Sequence, residues 1–277
     1  MKNAKPYIGV FMQLLVILGL WACGETKTDT ASEPTAEPSG DTSSEPSNED
    51  TGPQVETYSI SGAINTADGE PAAGAKVQVC AALCRRADVL EDGTWSLPGV
   101  EADVYIVLGF YQGDASIATT ASLATVSADL DVGTMTMSPY ATQETFVSGM
   151  HDYVLDGGLV ISANSDELNA GLYSIGSSGS VSSVKIDPSH IAGGDLDTTT
   201  VAAMWMLGEY DYHVEGGMPW RIDSDLGLDE GASVDVQYLD NEAHEWLSLG
   251  TFTVTGGAID GGESNLPLLS SLIVIPQ

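Results

Sequence analysis

Basic side chains are scarce in this chain, which has 8 Lys and Arg against 40 Asp and Glu and a formal net charge of −32 over 277 residues. A protein that binds nucleic acid needs clustered cations to neutralise the phosphates. The charge balance therefore excludes nucleic acid as a natural partner. An acidic surface of this kind suits solubility in saline water, or the binding of hard cations such as Ca²⁺ by carboxylates.

Histidine is also rare, and recognisable catalytic motifs are missing from the sequence. The chain has four histidines, His151, His190, His213 and His244. Their spacings do not match those of metal ligands. No Gly-x-Ser-x-Gly elbow and no phosphate-binding loop is present. We therefore expect no catalytic residues and no cofactor. The alternative is an extracellular enzyme, or an enzyme accessory subunit, whose site assembles only in three dimensions.

Cysteine occurs three times, and two of these residues lie close together in the body of the chain. Cys80 and Cys84 would be about 13 Å apart in a straight strand, whereas a disulfide usually needs Cα atoms about 4.4–6.8 Å apart. A bond between them therefore requires a turn at residues 81–83. We predict a structural disulfide, as suits an exported protein. Two free thiols and a metal site are the alternatives.

The third cysteine, Cys23, directly follows an apolar run near the start of the chain. Lys2 and Lys5 precede the run, which extends from Tyr7 to Ala22. This order of parts is typical of a signal peptide. As a helix the run would span roughly 24 Å, less than the hydrocarbon core of about 30 Å, so a permanent transmembrane helix is the weaker interpretation.

The segment Leu20-Trp21-Ala22-Cys23 resembles the lipobox of bacterial lipoproteins. In that family the cysteine thiol takes a diacylglyceryl group and becomes the new N-terminus. The resemblance implies a signal peptide over residues 1–22, lipidation of Cys23, and a lipid-anchored protein of the bacterial cell envelope. Gly24 is not the Asp that retains many such proteins in the inner membrane. The outer membrane is therefore expected, on its periplasmic or its surface face.

Residues 23–54 are polar and acidic. Acids recur at every fourth position, at Glu25, Asp29, Glu33, Glu37, Asp41, Glu45 and Glu49. A helix would place these like charges on one face, and Pro34, Pro38 and Pro46 would break it. The composition also cannot bury a core. We predict a disordered Ser/Thr/Pro/Glu linker with a full reach of roughly 100 Å.

Residues 55–138 show short strand patterns at spacings of eight to twelve residues, which predicts a β-sandwich. The segments Ser61-Gly62-Ala63-Ile64, Asp68-Gly69-Glu70-Pro71 and Gly93-Thr94-Trp95-Ser96-Leu97 resemble the carboxypeptidase regulatory-like domain. That family has a transthyretin-like sandwich with a carbohydrate-binding-like fold, and it usually accompanies another module without being catalytic. The stretch from Leu97 to Tyr105 is longer than in the family, which predicts a longer loop there.

Residues 139–277 continue the strand pattern and predict a second β-sandwich. Its last third has a Trp strand, a Gly-Thr turn and a closing Leu-Ser strand, within Trp220–Ile222, Glu245–Thr251 and Leu266–Ile275. This arrangement resembles the ZU5-like domains of large secreted bacterial proteins. The expected fold class is therefore all-β, with two transthyretin-like or Ig-like sandwich domains after a disordered acidic linker.

Two groups of residues in the second region are candidate binding sites. Tyr210, Tyr212 and Trp220 together with Asp211 have the ingredients of a sugar platform, because flat rings stack on sugar faces and carboxylates accept hydroxyl protons. Packing of the same rings in the core is the alternative. The second group places three carboxylates in a short loop that could hold Ca²⁺ with oxygen ligands, although a plain acidic turn explains it too. These residues are Asp223, Asp225 and Asp229.

These observations together predict an envelope-anchored bacterial lipoprotein that displays non-catalytic β-sandwich modules. The expected role is binding of carbohydrate or protein, or a structural or adhesive function. The expected partners are the membrane, reached through the lipid anchor, and a glycan or an envelope protein.

Overall fold

The computed structural model of this protein describes residues 55–191 and 196–277, which form β-strands joined by turns and short 3₁₀ segments. The signal peptide, Cys23 and the linker lie outside the described residues, so the predictions about them stay predictions. The all-β prediction is confirmed. Within the described ranges, no helix is long and apolar enough to cross a membrane.

The first seven strands form two sheets that face each other. They are β1 Tyr58–Thr66, β2 Lys76–Cys80, β3 Cys84–Asp88, β4 Thr94–Val100, β5 Asp103–Phe110, β6 Thr120–Val126 and β7 Leu130–Met137. One sheet has the order β4-β1-β7, with β1 antiparallel to β4 and parallel to β7. The other has the order β3-β2-β5-β6. Alternation along β4 buries Trp95 and Leu97 between the sheets and exposes Thr94 and Ser96, as a strand with period two requires.

The longer loop expected between Leu97 and Tyr105 is not formed. Strand β4 continues through Pro98 and Gly99, and only two residues, 101 and 102, connect it to β5. Gly99 is the extra residue of a bulge, with φ of +74°, because Val100 pairs with Tyr58 and Pro98 pairs with Ser59. Strand β4 lies at the edge of its sheet, where a proline is tolerated. The added residues therefore lengthen the strand.

The remaining strands form the second sandwich. They are β8 Thr142–Thr145, β9 Met150–Val154, β10 Leu159–Asn164, β11 Asn169–Ala170, β12 Ser180–Ile186, β13 Ala203–Gly208, β14 Tyr212–Ile222, β15 Ser233–Asp240, β16 Glu245–Thr253, β17 Ile259–Leu269 and β18 Ser271–Pro276. One sheet has the order β16-β15-β18-β13-β12-β8, and the other has the order β11-β14-β10-β9 with β17 also paired to β14. Trp205, Tyr153 and Leu207 are among the buried residues between them.

The two sandwiches pack directly against each other within one compact unit. Cys80, Leu108 and Leu123 of the first sandwich share a buried cluster with Tyr173 and Tyr210 of the second. The domain boundary expected at residues 138 and 139 falls between β7 and β8, and the independence of the two halves stays a prediction.

The hairpin of β2 and β3 brings Cys80 opposite Cys84, and the structure joins them in a disulfide with Cα atoms 4.0 Å apart. Residues 81–83 form the turn that such a bond requires. Cys80 is buried in the junction cluster, and Ala81 beside it faces the second sandwich. The hairpin therefore belongs to the contact between the sandwiches.

Candidate functional site

The three rings expected to form a sugar platform are separated by the fold. Trp220 is 4% exposed and meets the ring of Phe252 edge-on, with ring centroids 5.1 Å apart. Tyr212 packs against the same core, whereas Tyr210 lies in the cluster between the sandwiches. The fold therefore does not bring the three rings into one exposed face, and ligand binding at these residues stays a prediction. Trp220 occupies an inward position of β14, and a buried ring has no free face for a sugar.

Asp211, the acid of the same hypothesis, is also buried, and both of its carboxylate oxygens are occupied. Asn241 donates to Oδ1 over 2.6 Å, and the Tyr173 N–H donates to Oδ2 over 2.6 Å. Tyr210 completes the network by donating its hydroxyl to the Asn241 side-chain oxygen over 2.8 Å. Burial raises the pKa of Asp211, and the Asn241 and Tyr173 hydrogen bonds oppose that rise. Asp211 is therefore a structural acid.

Gly171 makes this arrangement sterically feasible. A Cβ atom at Gly171 would lie 2.2 Å from Asp211 Oδ2 and 2.5 Å from the Asp211 backbone oxygen. The Gly171 N–H instead donates to that backbone oxygen over 2.7 Å. The close approach holds Tyr173 next to Asp211 at the junction.

The expected Ca²⁺ ligands do not converge. Asp223 accepts a hydrogen bond from Arg221 Nε over 2.8 Å, and Asp225 accepts one from the backbone N–H of Gly227 over 2.7 Å. Across residues 55–191 and 196–277, no group of three His, Cys, Asp or Glu side chains is placed to hold a metal ion. An ion pair with Arg221 holds the Asp223 carboxylate and a local turn bond holds that of Asp225, and calcium binding by Asp223, Asp225 and Asp229 stays a prediction.

A cavity of about 160 Å³ opens at the junction, with walls from both sandwiches. Its floor consists of six residues that are each less than a tenth exposed, namely Phe110, Thr119, Ser182, Gly208, Glu209 and Tyr210. Its exposed rim comes from residues 113–115 of the first sandwich and 176–178 of the second. The half-buried Tyr111, Ile117, Tyr140 and Ile175 complete the walls. The cavity is thus a small aromatic and hydroxyl-lined recess with an acid at its base.

Glu209 supplies that acid and is only 4% exposed. Its Oε1 accepts hydrogen bonds from the Ser178 N–H over 2.6 Å, the Ser178 hydroxyl over 2.5 Å and the Ser180 N–H over 3.2 Å. No described residue donates a hydrogen bond to Oε2. The carboxylate is therefore held rigidly through one oxygen while the other is free to accept a proton donor from a ligand.

Tyr140 packs directly over the backbone beside Glu209. A Cβ atom at Gly208 would lie 2.5 Å from the Tyr140 hydroxyl oxygen, so glycine is required at position 208 for this contact. Burial raises the pKa of Tyr140 well above its ordinary value, and the Glu209 charge adds to the rise. Tyr140 therefore remains neutral and lines the cavity, and its hydroxyl interacts with the backbone of Thr119.

Two wider clefts lie on the first sandwich, but each lacks a buried charged group. One of about 430 Å³ runs over β1, β4 and β7, and its acid, Asp131, is exposed and accepts the Gly133 N–H over 2.8 Å. The other, of about 310 Å³, is lined by Ala67, Asp68 and Met137 among others. The junction cavity combines a buried carboxylate with several aromatic rings, and we take it as the candidate site.

The sequence hypothesis contained part of this site without its partners. Tyr210 was expected to bind a ligand and does line the cavity, next to Glu209. Ser178, Tyr111 and Tyr140 are distant in the sequence from residue 209, and no motif connects them. In the sequence, only the spacing of acidic and aromatic residues around Tyr210 indicated a binding site.

Comparisons with known proteins add a weak similarity of fold. No family model matches this chain, and no curated protein matches it. A type II cohesin–X–dockerin complex from Acetivibrio cellulolyticus aligns at 21% identity and a TM-score of 0.26, over 30% of this chain and 58% of that one. A DUF3823 family protein from Bacteroides ovatus aligns at 8% identity and a TM-score of 0.25, over 80% of this chain and 81% of that one.

A third solved structure, the full-length major pilin SpaD from Corynebacterium diphtheriae, aligns at 11% identity and a TM-score of 0.27. The alignment covers 74% of this chain and 81% of the pilin. Overlaps this low carry no functional argument. The site must therefore be interpreted from its own geometry.

Proposed function

We propose that this protein is a non-catalytic binding lipoprotein of the bacterial cell envelope, and that its ligand is a small carbohydrate group held in the junction cavity. The supporting observation is the buried Glu209, whose Oε2 has no described donor, at the base of a recess walled by tyrosine rings. A carboxylate accepts hydroxyl protons, and flat rings stack on the apolar faces of sugars.

The size of the recess limits the ligand. Pockets for drug-sized molecules are typically about 300–1,000 Å³, whereas this cavity is about 160 Å³. One sugar ring, such as the terminal unit of a glycan, suits the volume better than an oligosaccharide. Hydroxyl groups of Thr119, Ser177, Ser178 and Ser182 line the recess and can exchange hydrogen bonds with ring hydroxyls.

The envelope location is part of the same proposal. Lipidation at Cys23 would attach the protein to a membrane, and the acidic linker would hold the sandwiches away from the lipid surface. Wild-type protein should incorporate labelled fatty acid and fractionate with membranes, and Cys23→Ala should do neither. A Cys23→Ala variant that still fractionates with lipid, together with unlabelled wild type, would contradict the anchor.

Binding can be tested with Tyr111→Ala, since Tyr111 is half-buried at the cavity wall. Loss of an anchoring aromatic should weaken the binding of monosaccharides by about 1–3 kcal/mol in calorimetric titration. Tyr58→Ala is the matched control, because Tyr58 also packs against the first core but does not line the cavity. Equal affinities for both variants would place the ligand elsewhere, and turnover of any glycan would refute the non-catalytic role.

A protein ligand is the second candidate, and two exposed leucines favour it. Leu83 is 82% exposed and Leu172 is 77% exposed. Leu172 directly precedes Tyr173 in the sequence, and Leu83 lies two residues after Ala81. The Tyr173 hydroxyl donates to the Ala81 oxygen at the junction, so both leucines lie next to this contact in the chain. A contiguous exposed apolar patch is typical of contacts with other proteins. Capture of an envelope protein that is lost in Leu83→Ser and Leu172→Ser would support this candidate.

A further inference from the structure

The charge inside the junction cavity is entirely negative. Glu209 at the floor and Asp114 at the rim are carboxylates, and no described lining residue is Lys, Arg or His. The guanidinium of Arg86 lies 5.6 Å from the centre of the Phe110 ring, but Arg86 is outside the lining and donates its Nε to Gln78. The surrounding chain has a net charge of −32. A ligand that enters the recess therefore meets a field that favours a cation.

The hydrogen bonding of Glu209 favours a cation for a second reason. A buried carboxylate is costly unless it is paired, and a hydrogen bond in which the donor or the acceptor is ionised is about twice as strong as a neutral one. The donors from Ser178 and Ser180 are neutral and all reach Oε1. An ammonium group at Oε2 would supply the missing countercharge.

The rings around the carboxylate complete the arrangement. Phe110, Tyr111, Tyr140 and Tyr210 line the same recess. An aromatic face attracts a cation within about 6 Å of its centre, and cages of such rings recognise ammonium groups. A carboxylate among four rings is therefore better matched to a protonated amine than to a neutral hydroxyl.

We infer that the ligand is an amino sugar with a free, protonated amine, whose ammonium group binds Glu209 Oε2 among the four rings. Ser177, Ser178, Ser182 and Asp114 also line the recess, and their polar side chains can exchange hydrogen bonds with the ring hydroxyls. These polar groups favour a sugar over the plain alkyl chain of a lysine. The inference rests on the proposed function, and it names the group that the cavity recognises.

The first test compares three sugars on the full chain in detergent by isothermal titration calorimetry. Glucosamine has the amine, glucose replaces it with a hydroxyl, and N-acetylglucosamine removes its charge. We expect glucosamine to bind at least about tenfold more tightly than either neutral sugar, since only its ammonium group brings a countercharge to the buried carboxylate and a cation to the rings. Equal affinities would overturn the amine inference but leave carbohydrate binding intact. No binding of any sugar would overturn both.

The second test locates the amine. Glu209→Gln keeps the shape and the Oε1 acceptor but removes the charge, so glucosamine should lose its tenfold advantage over glucose. Glu91→Gln, at an exposed turn of the first sandwich outside the cavity, removes an equal charge and should leave the advantage unchanged. Loss of the advantage in both variants would attribute it to the overall charge and overturn the site.

Two further measurements test the recognition of the amine. If circular dichroism shows that Glu209→Gln does not fold, the ranking of the three sugars on the wild-type protein tests the amine inference. Asp114→Asn, at the exposed rim, should in addition lower the affinity for glucosamine about two- to threefold. The remaining probe is Nα-acetyl-lysine amide, a capped lysine with a free side-chain ammonium group. If it binds as tightly as glucosamine, the sugar assignment is overturned in favour of a protein ligand.

Discussion

Two acids in one turn, Glu209 and Asp211, differ in their hydrogen bonding at the junction of the sandwiches. Asp211 has both oxygens occupied by Asn241 and Tyr173, on a side of the junction that is closed. Glu209 has its described partners on one oxygen and faces the cavity on the open side. Both acids are 4% exposed, so burial does not distinguish them. The supply of hydrogen-bond donors makes one acid structural and leaves the other available to a ligand.

The largest expected effect comes from breaking the closed side with Asn241→Ala. Asn241 is fully buried, and its loss leaves the Tyr210 hydroxyl and Asp211 Oδ1 without these partners. The free energy of unfolding should fall by about 3 kcal/mol in urea titration. Asn265→Ala is the control, because exposed Asn265 makes one hydrogen bond to the Gly216 oxygen. A decrease in the free energy of unfolding below about 1 kcal/mol would show that the hydrogen bonds of Asn241 do not stabilise the junction.

The disulfide should have the next largest effect on the closed side. Cys80 and Cys84 flank the turn that presents Ala81 to Tyr173. The closed loop is short, so the loop-closure entropy predicts a contribution of about 2 kcal/mol. The double variant Cys80→Ala/Cys84→Ala should show this loss in urea titration. Two free thiols on the intact, non-reduced protein by mass spectrometry would contradict the bond.

A smaller effect is expected from Tyr173→Phe. The Tyr173 hydroxyl donates to the Ala81 oxygen over 3.3 Å and contacts His244 Nε2 at 3.2 Å. Its removal should lower the free energy of unfolding by about 1 kcal/mol and leave ligand binding at the cavity unchanged. Tyr105→Phe, which loses a single hydrogen bond to the Glu101 oxygen, is the control. A change in sugar affinity would show that the two sides of the junction are coupled.

The smallest expected effect is a pH dependence that distinguishes the structural acid. Burial raises the pKa of Asp211, so the folded state holds its proton to higher pH than the unfolded state does. The stability that Asp211 contributes is then full below its unfolded pKa of about 3.9 and falls as pH rises through the raised folded value. The free energy of unfolding of wild type should therefore fall relative to that of Asp211→Asn as the pH rises from 3.5 to 7. A constant difference would contradict the raised pKa.

The core strands could be predicted from the sequence because burial follows local alternation. Val234, Val236 and Tyr238 alternate with polar residues, and all three are buried in β15. The sequence does not predict strand β9 or the first part of β14, because His151, Asp152 and the Gly216-Gly217 pair interrupt the apolar alternation there. Pairing to neighbouring strands decides such segments, and the pairing is not local.

The candidate site could be predicted only in part. The sequence placed Tyr210 and Asp211 beside other aromatic and acidic residues, and of these two only Tyr210 lines the cavity. The turn between β13 and β14 directs Glu209 and Tyr210 to the junction, whereas Trp220 on β14 faces the second core. Ser178 and Tyr140 come from separate loops that the packing of the two sandwiches brings together.

Composition and local pattern alone determined the all-β class, the acidic character and the sequence features that predict export, because these depend on residue type and on spacings of a few residues. The tertiary structure decided which acid is satisfied and which is free. That choice depends on donors from Ser178, Ser180, Tyr173 and Asn241, each about 30 to 40 residues from its acceptor in the chain. Hydrogen bonding over such separations follows from the packing of whole sheets, which local sequence does not encode.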